Sequence, residues 1–291
     1  MKILLLPLLV LILTGVVIFV LLIRSFRIEP VPHQSTPALL QLEFQEIRIP
    51  TQNNKQLYGW WIPGRNSEIP QPTIVIMHGW RRNLDRSLPV MAALQETGWN
   101  MVAVDSRNHG SSDPDGVSTM IKFGEDIQAA VDFALQQAQT DSNHIGVVGI
   151  SIGGAGSLYA ASQDSRISAV ATIGTFAHPA EIMRYDFKRK RIPFYPFVWT
   201  IFRYFEFSQG KSLEDIAPIN NLPSIQARLL LIHGDQDLRV PPDHSIRLAK
   251  KAGTAKANLW LIPGYGHSNC HEHPQFSERL TAFFRQVWFP E

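Results

Sequence analysis

The sequence has very little cysteine and very little net charge. One cysteine among 291 residues, Cys270, excludes an intramolecular disulfide and any metal site built from several cysteines. The 27 basic and 25 acidic residues leave a formal charge of +2, which argues against nucleic acid as a partner. Only 18% of the residues are charged and 45% are hydrophobic, so the composition is not that of a disordered chain. We therefore expect a globular domain.

The longest uncharged run lies at the N-terminus, at residues 3–23. As a helix rising about 1.5 Å per residue, this run would be roughly 32 Å long, enough to cross the hydrocarbon core of a bilayer. Arg24 and Arg27 follow it, without the small residues of a signal-peptidase site. We predict that residues 1–27 form an uncleaved, single-pass membrane anchor. The positive charges of Lys2 and the α-amino group before the run nearly balance those of the two arginines after it. The distribution of charge therefore does not predict the orientation of the segment in the membrane.

The remainder of the chain divides into a stalk and one domain. Residues 28–40 contain three prolines and predict a short stalk, followed by a domain at residues 41–291. Residues 42–49 and 56–62 predict an antiparallel pair of strands that turns at Asn53 and Asn54. Short apolar runs separated by helix-like stretches then predict buried parallel strands, which is typical of a mostly parallel α/β fold with helices on both faces. These runs are residues 73–77, 101–104, 145–148, 170–173, 229–232 and 259–262.

A G-x-S-x-G pattern follows the run at 145–148. Residues 149–154 read Gly-Ile-Ser-Ile-Gly-Gly and precede a helix-like stretch, which is the strand-turn-helix context of a nucleophilic serine. The flanking glycines allow a close approach of strand and helix, and the helix N-terminus favours a developing anion. The pattern predicts Ser151 as a nucleophile, although a glycine-rich turn that contains a serine by chance would have the same sequence pattern.

The run at 73–77 is followed by His78-Gly79-Trp80. An acyl-transfer oxyanion needs two backbone donors, one from the residue after the nucleophile and one from an earlier loop. These donors would be the N–H groups of Ile152 and Trp80, with Arg81 as the alternative to Trp80. His78 is interpreted as a residue that shapes the loop.

Two aspartates and one histidine complete the candidate site. Asp235 and Asp237 follow the run at 229–232 and compete for the role of orienting a base histidine, with Asp235 better placed to brace the turn. His267 lies in a glycine-rich loop after the last predicted strand, and a histidine has a pKa suited to general-base catalysis near neutrality. Serine, aspartate and histidine then occur in the chain order of the α/β-hydrolases.

A cluster near the C-terminus allows another interpretation. His267, Cys270, His271 and His273 are residue types that bind zinc. They lie within seven residues, and no second run of ligands occurs elsewhere, so we expect no metal. Cys270 lies outside any strand-turn-helix elbow, which argues against its being a nucleophile.

Taken together, these motifs resemble the α/β-hydrolase-fold serine hydrolases. The resemblance covers about residues 41–289 and extends to residues 105–112, which are similar to the family's D-x-R-G-H-G-x-S loop with Asn108 in place of the usual glycine. It includes the serine aminopeptidase-like, prolyl-oligopeptidase-like and Bem46-like branches without favouring one. In the family's H-G-D-x-D-x-x-V-P pattern the second aspartate is catalytic, which implies Asp237 here.

The family resemblance implies a mechanism that needs no cofactor. His267 deprotonates Ser151, which attacks an ester, thioester or amide carbonyl, and water then hydrolyses the acyl-enzyme. A serine at the elbow argues against the dehalogenases and epoxide hydrolases of this fold, which carry an aspartate there.

About fifty residues separate the runs at 170–173 and 229–232, too many for a simple crossover, so we predict a helical cap at about 177–222. Residues 185–207 contain ten aromatics and overlap the basic run at 188–191. The aromatics could simply pack on the domain. Alternatively, they line an acyl pocket or touch lipid headgroups, with Phe194, Phe197 and Trp199 as candidate substrate-binding residues.

The sequence thus predicts a membrane-anchored serine hydrolase that cleaves a small-molecule or lipid-like carboxylic ester. A serine peptidase of the same fold is the second hypothesis. A non-catalytic binding domain tethered to a membrane is the alternative from another class, but it would require the loss of a triad residue, and none is missing.

Overall fold

The computed structural model describes residues 2–66 and 69–290, and between residues 2 and 12 it describes a side chain only at Val10. Its strands are β1 (Gln45–Thr51), β2 (Lys55–Ile62), β3 (Gln71–Met77), β4 (Asn100–Val104), β5 (Thr140–Ile150), β6 (Ile167–Ile173), β7 (Arg228–Gly234) and β8 (Ala257–Ile262). They form one eight-stranded sheet in the order β1-β2-β4-β3-β5-β6-β7-β8.

The sheet is antiparallel at one edge and parallel elsewhere. β1 pairs antiparallel with β2, and β2 pairs antiparallel with β4, whereas every other neighbouring pair is parallel. The hairpin between β1 and β2 turns at Asn53 and Asn54, which have positive φ angles of 60° and 55°. Each of the six predicted apolar runs lies within a parallel strand, so the predicted α/β fold is confirmed.

Helices cover both faces of this sheet. They are α1 (Lys2–Arg24), α2 (Leu88–Leu94), α3 (Met120–Leu135), α4 (Ile152–Gln163), α5 (Pro179–Arg189), α6 (Trp199–Gln209), α7 (Pro218–Asn221), α8 (Asp243–Ala252) and α9 (Phe276–Trp288). Phe123 of α3, Leu158 of α4 and Leu248 of α8 are buried in the core on one face. Leu94 of α2 and Phe284 of α9 are buried on the other. Because the parallel strands are covered on both faces, their central residues form apolar runs.

The cap consists of α5, α6 and α7, which lie between β6 and β7 where the insertion was predicted. It has a hydrophobic cluster of its own that includes Phe187, Phe202 and Phe205. The same cluster contains Met120 and Tyr159 from α3 and α4. The cap is therefore packed on the domain above the ends of these helices.

The predicted stalk lies along the domain and does not extend away from it. The His33 Nε2 atom is 2.8 Å from Oδ2 of the buried Asp105, and the His33 ring stacks on Tyr58. The Asn83 side-chain amide donates hydrogen bonds to the backbone carbonyls of residues 31 and 32. Residues 31–33 are thereby held against the sheet, so this part of the chain is not a free spacer.

The N-terminal anchor predicted for residues 3–23 is not supported by the structure. Within the part of the chain that the structure describes, no helix combines the length and the apolar character needed to cross a membrane. The side chains of residues 3–9, 11 and 12 lie outside the described residues. Just beyond α1, the ring of Phe26 contacts the cap residues Phe205 and Phe187, with centroid distances of 5.0 and 6.2 Å. The end of α1 and the residues after it therefore pack against the cap.

Candidate active site

Four parallel strands end close together and bring the candidate residues to one edge of the sheet. His78 follows β3, Ser151 follows β5, and Asp237 and His267 lie in the loops after β7 and β8. The carboxyl ends of parallel strands lie at the same edge, which is where α/β proteins place their ligands.

The turn at Ser151 has a strained backbone. Ser151 has a φ of 57° and a ψ of −117°, which is unfavourable for a residue with a side chain, and α4 begins at the next residue. A Cβ atom on Gly149 would lie 2.4 Å from the carbonyl oxygen of Gly153, and a Cβ on Gly153 would lie 2.4 Å from that of His78. Only glycine permits these approaches, so the spacing of the G-x-S-x-G pattern has a steric cause.

The predicted serine, histidine and aspartate form a continuous chain of hydrogen bonds. The Ser151 Oγ atom is 3.0 Å from His267 Nε2, and His267 Nδ1 is 2.7 Å from Asp237 Oδ2. With the Nδ1 proton donated to the carboxylate, Nε2 is free to accept a proton from the serine hydroxyl. This geometry suits a nucleophile, a general base and an orienting acid.

Asp237 is held in the ionised form by its surroundings. Burial alone would raise the pKa of this carboxyl, but hydrogen bonds from His233 and His267 outweigh burial and hold the pKa well below its usual range. The other carboxylate oxygen accepts the backbone N–H groups of Arg239 and Val240 at 2.8 and 2.9 Å. The negative charge that would stabilise a protonated His267 is therefore present at neutral pH.

The two competing aspartates have different partners. The Asp235 Oδ1 atom accepts the backbone N–H of Gly264 at 2.7 Å, which braces the turn before His267. Asp237 alone of the two contacts the histidine.

His78 is buried in the loop after β3, and within the described residues its ring forms no hydrogen bond with Ser151. Burial lowers its pKa to about 3, so the ring is neutral. Its Nδ1 atom lies 2.8 Å from the Gly79 carbonyl oxygen, while Nε2 accepts the backbone N–H of Ser106 at 3.1 Å. These bonds tie the two loops together, in agreement with the loop-shaping interpretation.

The backbone amides of Trp80 and Ile152 are available at the site. Within the described residues, neither N–H donates to a backbone or side-chain acceptor. Ile152 is the first residue of α4, where the helix itself offers no acceptor. Both residues line the cavity in front of Ser151, which is where an oxyanion would form.

The histidine and cysteine cluster does not assemble into a metal site in the described part of the chain. His267 is instead bonded to Ser151 and Asp237. Cys270 is buried, and burial raises the pKa of its thiol to about 11, so it is not a thiolate at neutral pH.

A cavity of about 270 Å³ opens in front of Ser151. Its apolar wall comes largely from the cap, including Phe187 and Phe205. The predicted pocket residues Phe194, Phe197 and Trp199 are not among the lining residues. Phe194 packs edge-to-face on Phe202, and the Trp199 side chain is exposed. The cap thus lines this cavity with aromatic residues other than the three named from the sequence.

The chain just beyond α1 also lines this cavity, through Ser25 and Phe26. The Ser25 carbonyl oxygen accepts a hydrogen bond of 2.8 Å from the guanidinium of Arg81, the residue after Trp80. This contribution was not predicted from the sequence, in which the apolar N-terminal segment is typical of an element separate from the domain. No local pattern at these two residues indicates a pocket wall.

Gly174 is a second residue that the sequence analysis missed. It follows β6 with a φ of 63°, and a Cβ atom there would lie 3.1 Å from His267 Nδ1 and 3.4 Å from Asp237 Oδ2. The absence of a side chain therefore leaves room for the histidine–aspartate contact. The sequence contained one signal for this role, a glycine directly after a buried strand. The other candidate residues also follow the carboxyl ends of strands.

A mostly parallel sheet with a serine elbow after β5 and the aspartate and histidine after β7 and β8 is the arrangement of the α/β-hydrolases. The sequence model of the prolyl oligopeptidase family matches residues 121–288. This is more than half of the chain, which therefore belongs to the prolyl oligopeptidase family. The matched residues include Ser151, Asp237 and His267.

Two relatives show how widely the sequence pattern is shared. The chain is 28% identical over 246 residues to the uncharacterized protein YfhR of Escherichia coli O157:H7, covering 83% of this chain and 78% of YfhR. It is 24% identical over 236 residues to the protein Bem46 of Schizosaccharomyces pombe, covering 80% of this chain and 74% of Bem46.

Solved structures support the fold. The Pyrococcus furiosus esterase Pf2001 superposes with a TM-score of 0.73 at 22% identity, covering 90% of this chain and 97% of the esterase. A puromycin-hydrolyzing peptidase of Mycobacterium tuberculosis superposes with a TM-score of 0.66 at 18% identity, covering 86% of this chain and 40% of the peptidase. At these identities the likeness concerns the fold alone.

Gly174→Ala tests the packing beside His267. We expect about 1–2 kcal/mol lower stability from the left-handed backbone, together with slower reaction of Ser151 with a fluorophosphonate, because the new methyl group crowds the histidine. Thermal unfolding and the labelling rate measure the two effects. Gly116→Ala is the control, since Gly116 has a φ of 61°, close to that of Gly174, with open space around its Cβ position. Equal labelling rates in the two variants would contradict the assigned role of Gly174.

Proposed function

We propose that this protein is a serine hydrolase that cleaves a carboxylic ester through an acyl-enzyme on Ser151. The observation that carries the proposal is the unbroken hydrogen-bonded chain from Asp237 through His267 to Ser151 at the wall of a cavity. A nucleophile, a base and an orienting acid in this geometry are the requirements for acyl transfer.

In the first half of the reaction, His267 Nε2 accepts the Ser151 proton while Oγ attacks the ester carbonyl. The carbonyl oxygen becomes an oxyanion that receives the N–H groups of Trp80 and Ile152. His267, now protonated and stabilised by Asp237, donates its proton to the leaving alcohol oxygen. The ester C–O bond breaks, and the acyl group remains on Ser151.

In the second half, water takes the place of the alcohol. His267 accepts a proton from the water, whose oxygen attacks the acyl carbonyl, and the proton then returns to Ser151 Oγ as the acid leaves. Each half of the reaction uses the same two backbone N–H groups, and the only other reactant in the second half is water.

The lining of the cavity in front of Ser151 favours an acyl chain. Its apolar residues from α5 and the following segments include Ile182, Met183, Phe187 and Phe205. Burial of each methylene of an acyl chain against such side chains contributes about 0.8 kcal/mol. A substrate with a medium-length acyl group therefore fits this cavity better than an acetate ester.

A serine peptidase is the second candidate, and one residue favours it. Asp186 lines the cavity and could receive the amino group of a peptide. However, Arg81, Lys190 and Arg239 line the same cavity, so its cationic groups outnumber this carboxylate. The charge balance favours a neutral or anionic substrate over one with a free amine.

The N-terminal helix supports a further proposal, that the protein associates with a lipid membrane. Six apolar side chains of α1 have exposed fractions of 47–61%. They are Val10, Leu13, Val16, Val17, Val20 and Leu21. An exposed apolar surface of this kind is energetically unfavourable in water and suits a lipid environment.

The first test addresses catalysis. Ser151→Ala and His267→Ala are each expected to lower kcat/KM for p-nitrophenyl butyrate by about a thousandfold or more, because the two residues act as a unit. Asp237→Asn should also lower it strongly, whereas Asp235→Asn should have little effect, because an amide oxygen still accepts the Gly264 N–H.

Fluorophosphonate labelling gives the matching control. Wild type should be labelled and Ser151→Ala should not. Unlabelled wild-type protein with a cooperative unfolding transition would favour the non-catalytic binding domain. A larger loss in Asp235→Asn than in Asp237→Asn would contradict the assignment of the acid.

The second test addresses substrate selection. In a series of p-nitrophenyl esters, kcat/KM should rise by up to about fourfold per added methylene until the cavity is filled. Phe26→Ala should reduce this gain because it removes part of the wall, whereas Leu21→Ala, at an exposed position on α1, should not. A chain that lacks residues 1–21 keeps Phe26 and should also keep the rise in kcat/KM with acyl length. A chain that lacks residues 1–29 should lose this rise.

Aminoacyl anilides measured beside the esters separate the two candidate functions. An optimum at acetate would contradict the acyl-chain proposal. Activity confined to the anilides would replace the esterase proposal with the peptidase one.

The third test addresses the membrane. The full chain should sediment with the membrane fraction and be released by detergent, whereas the chain lacking residues 1–21 should stay in the supernatant. Equal distribution of the two would contradict association through α1.

A further inference from the structure

A second, smaller cavity of about 50 Å³ also reaches Ser151. His267 lines this cavity and does not line the larger one. In the proposed mechanism the leaving oxygen takes its proton from His267 Nε2, so the leaving group must lie beside the imidazole. The smaller cavity is therefore the leaving-group side of the nucleophile, and the larger cavity is the acyl side.

The leaving-group side carries an excess of positive charge. Arg82, Arg86 and Arg239 line the smaller cavity, and no aspartate or glutamate is among its lining residues. Within the described residues Arg82 forms no ion pair, and its side chain is exposed to the cavity and solvent. Two guanidinium groups that face one space repel each other, and an anion bound between them offsets this repulsion.

Arg86 has a defined position in this cavity. Its guanidinium donates a hydrogen bond of 3.2 Å to the carbonyl oxygen of Ser268, the residue after His267. Burial and the nearby Arg82 lower the pKa of Arg86, which remains charged because its ordinary pKa is far above neutrality. Glu272 also interacts with Arg86, but its side chain is 62% exposed and does not line the cavity.

Besides the arginines and His267, the other titratable lining residues are Cys270 and His271, and neither adds negative charge. Burial raises the pKa of the Cys270 thiol to about 11. Burial and the proximity of Arg86 lower the pKa of His271, so this ring is neutral at pH 7. The site thus has positive groups, hydrogen-bond donors and little volume.

Resting on the proposed function, we propose that the smaller cavity is a subsite for an anionic leaving group, such as a small hydroxy acid bound through its carboxylate by Arg82 and Arg86. Guanidinium groups bind carboxylates through paired N–H donors. In the reaction the bond between the acyl carbon and the hydroxy-acid oxygen breaks, a bond from that carbon to Ser151 Oγ forms, and His267 supplies the proton to the released hydroxyl. The acyl group occupies the larger cavity.

A pair of esters that differ only in leaving-group charge tests this subsite. The substrates are the butyryl esters of glycolate and of glycolamide, which have nearly the same size. In wild type, kcat/KM should favour the glycolate ester, and Arg82→Gln together with Arg86→Gln should lower the glycolate-to-glycolamide ratio about fivefold, the upper range for a solvent-accessible ion pair. The effect should appear mainly in KM and weaken in 1 M NaCl.

Two controls separate charge recognition from structural damage. Lys250→Gln with Lys251→Gln removes the same charge from exposed positions that line neither cavity, and should leave the ratio unchanged. Arg82→Gln alone, which breaks no described hydrogen bond, should lower the ratio in part. If loss of the Arg86–Ser268 hydrogen bond disturbed His267 instead, hydrolysis of both esters would slow by the same factor and the ratio would not change.

The outcomes distinguish this inference from the proposed function. Hydrolysis of both esters with the same ratio in wild type and the double arginine variant would overturn the anionic subsite and leave the esterase proposal intact. If neither ester is hydrolysed and no neutral ester is either, the esterase proposal fails and the subsite fails with it.

Discussion

The left-handed backbone at Ser151 is the constraint on which the rest of the site depends. It turns the chain sharply from β5 into α4, so that the serine side chain faces the cavities and the next residue, Ile152, lines the larger of them. The turn is possible only because Gly149 and Gly153 allow backbone contacts that a Cβ atom would block. The energy stored in this turn is offset by the packed strands and helix on both sides of it.

Residues that act within one loop could be predicted from the sequence, because their signals are local. The strand before Ser151 and the glycines around it occur within a few positions, and the same is true of the turn that carries His267. The turn after β7 has such signals too, but the family pattern was needed to favour Asp237 over Asp235. The convergence of Ser151, Asp237 and His267 follows from one rule, that parallel strands end at the same edge of the sheet. The bonds of 3.0 and 2.7 Å between them are the geometric result.

Contacts between distant segments could not be predicted in this way. The aromatic residues of the cap were recognised, but which of them line the cavity depends on the orientation of α5 and α6. Phe187 and Phe205 point inward, whereas Trp199 is exposed. Likewise, the packing of Phe26 depends on where α1 ends relative to the cap, and a hydropathy pattern contains no information on this.

Ser25 and Phe26 place part of the cavity wall far along the chain from Ser151, Asp237 and His267. The strands that precede Ser151, Asp237 and His267 begin well after these residues in the sequence, and Ser25 and Phe26 reach the cavity only through packing and the hydrogen bond from Arg81. In evolution, a change or exchange of the N-terminal segment can therefore reshape this cavity while the sheet is left untouched. Relatives that share this sheet and differ at their N-termini would be expected to diverge in substrate range before they diverge in mechanism.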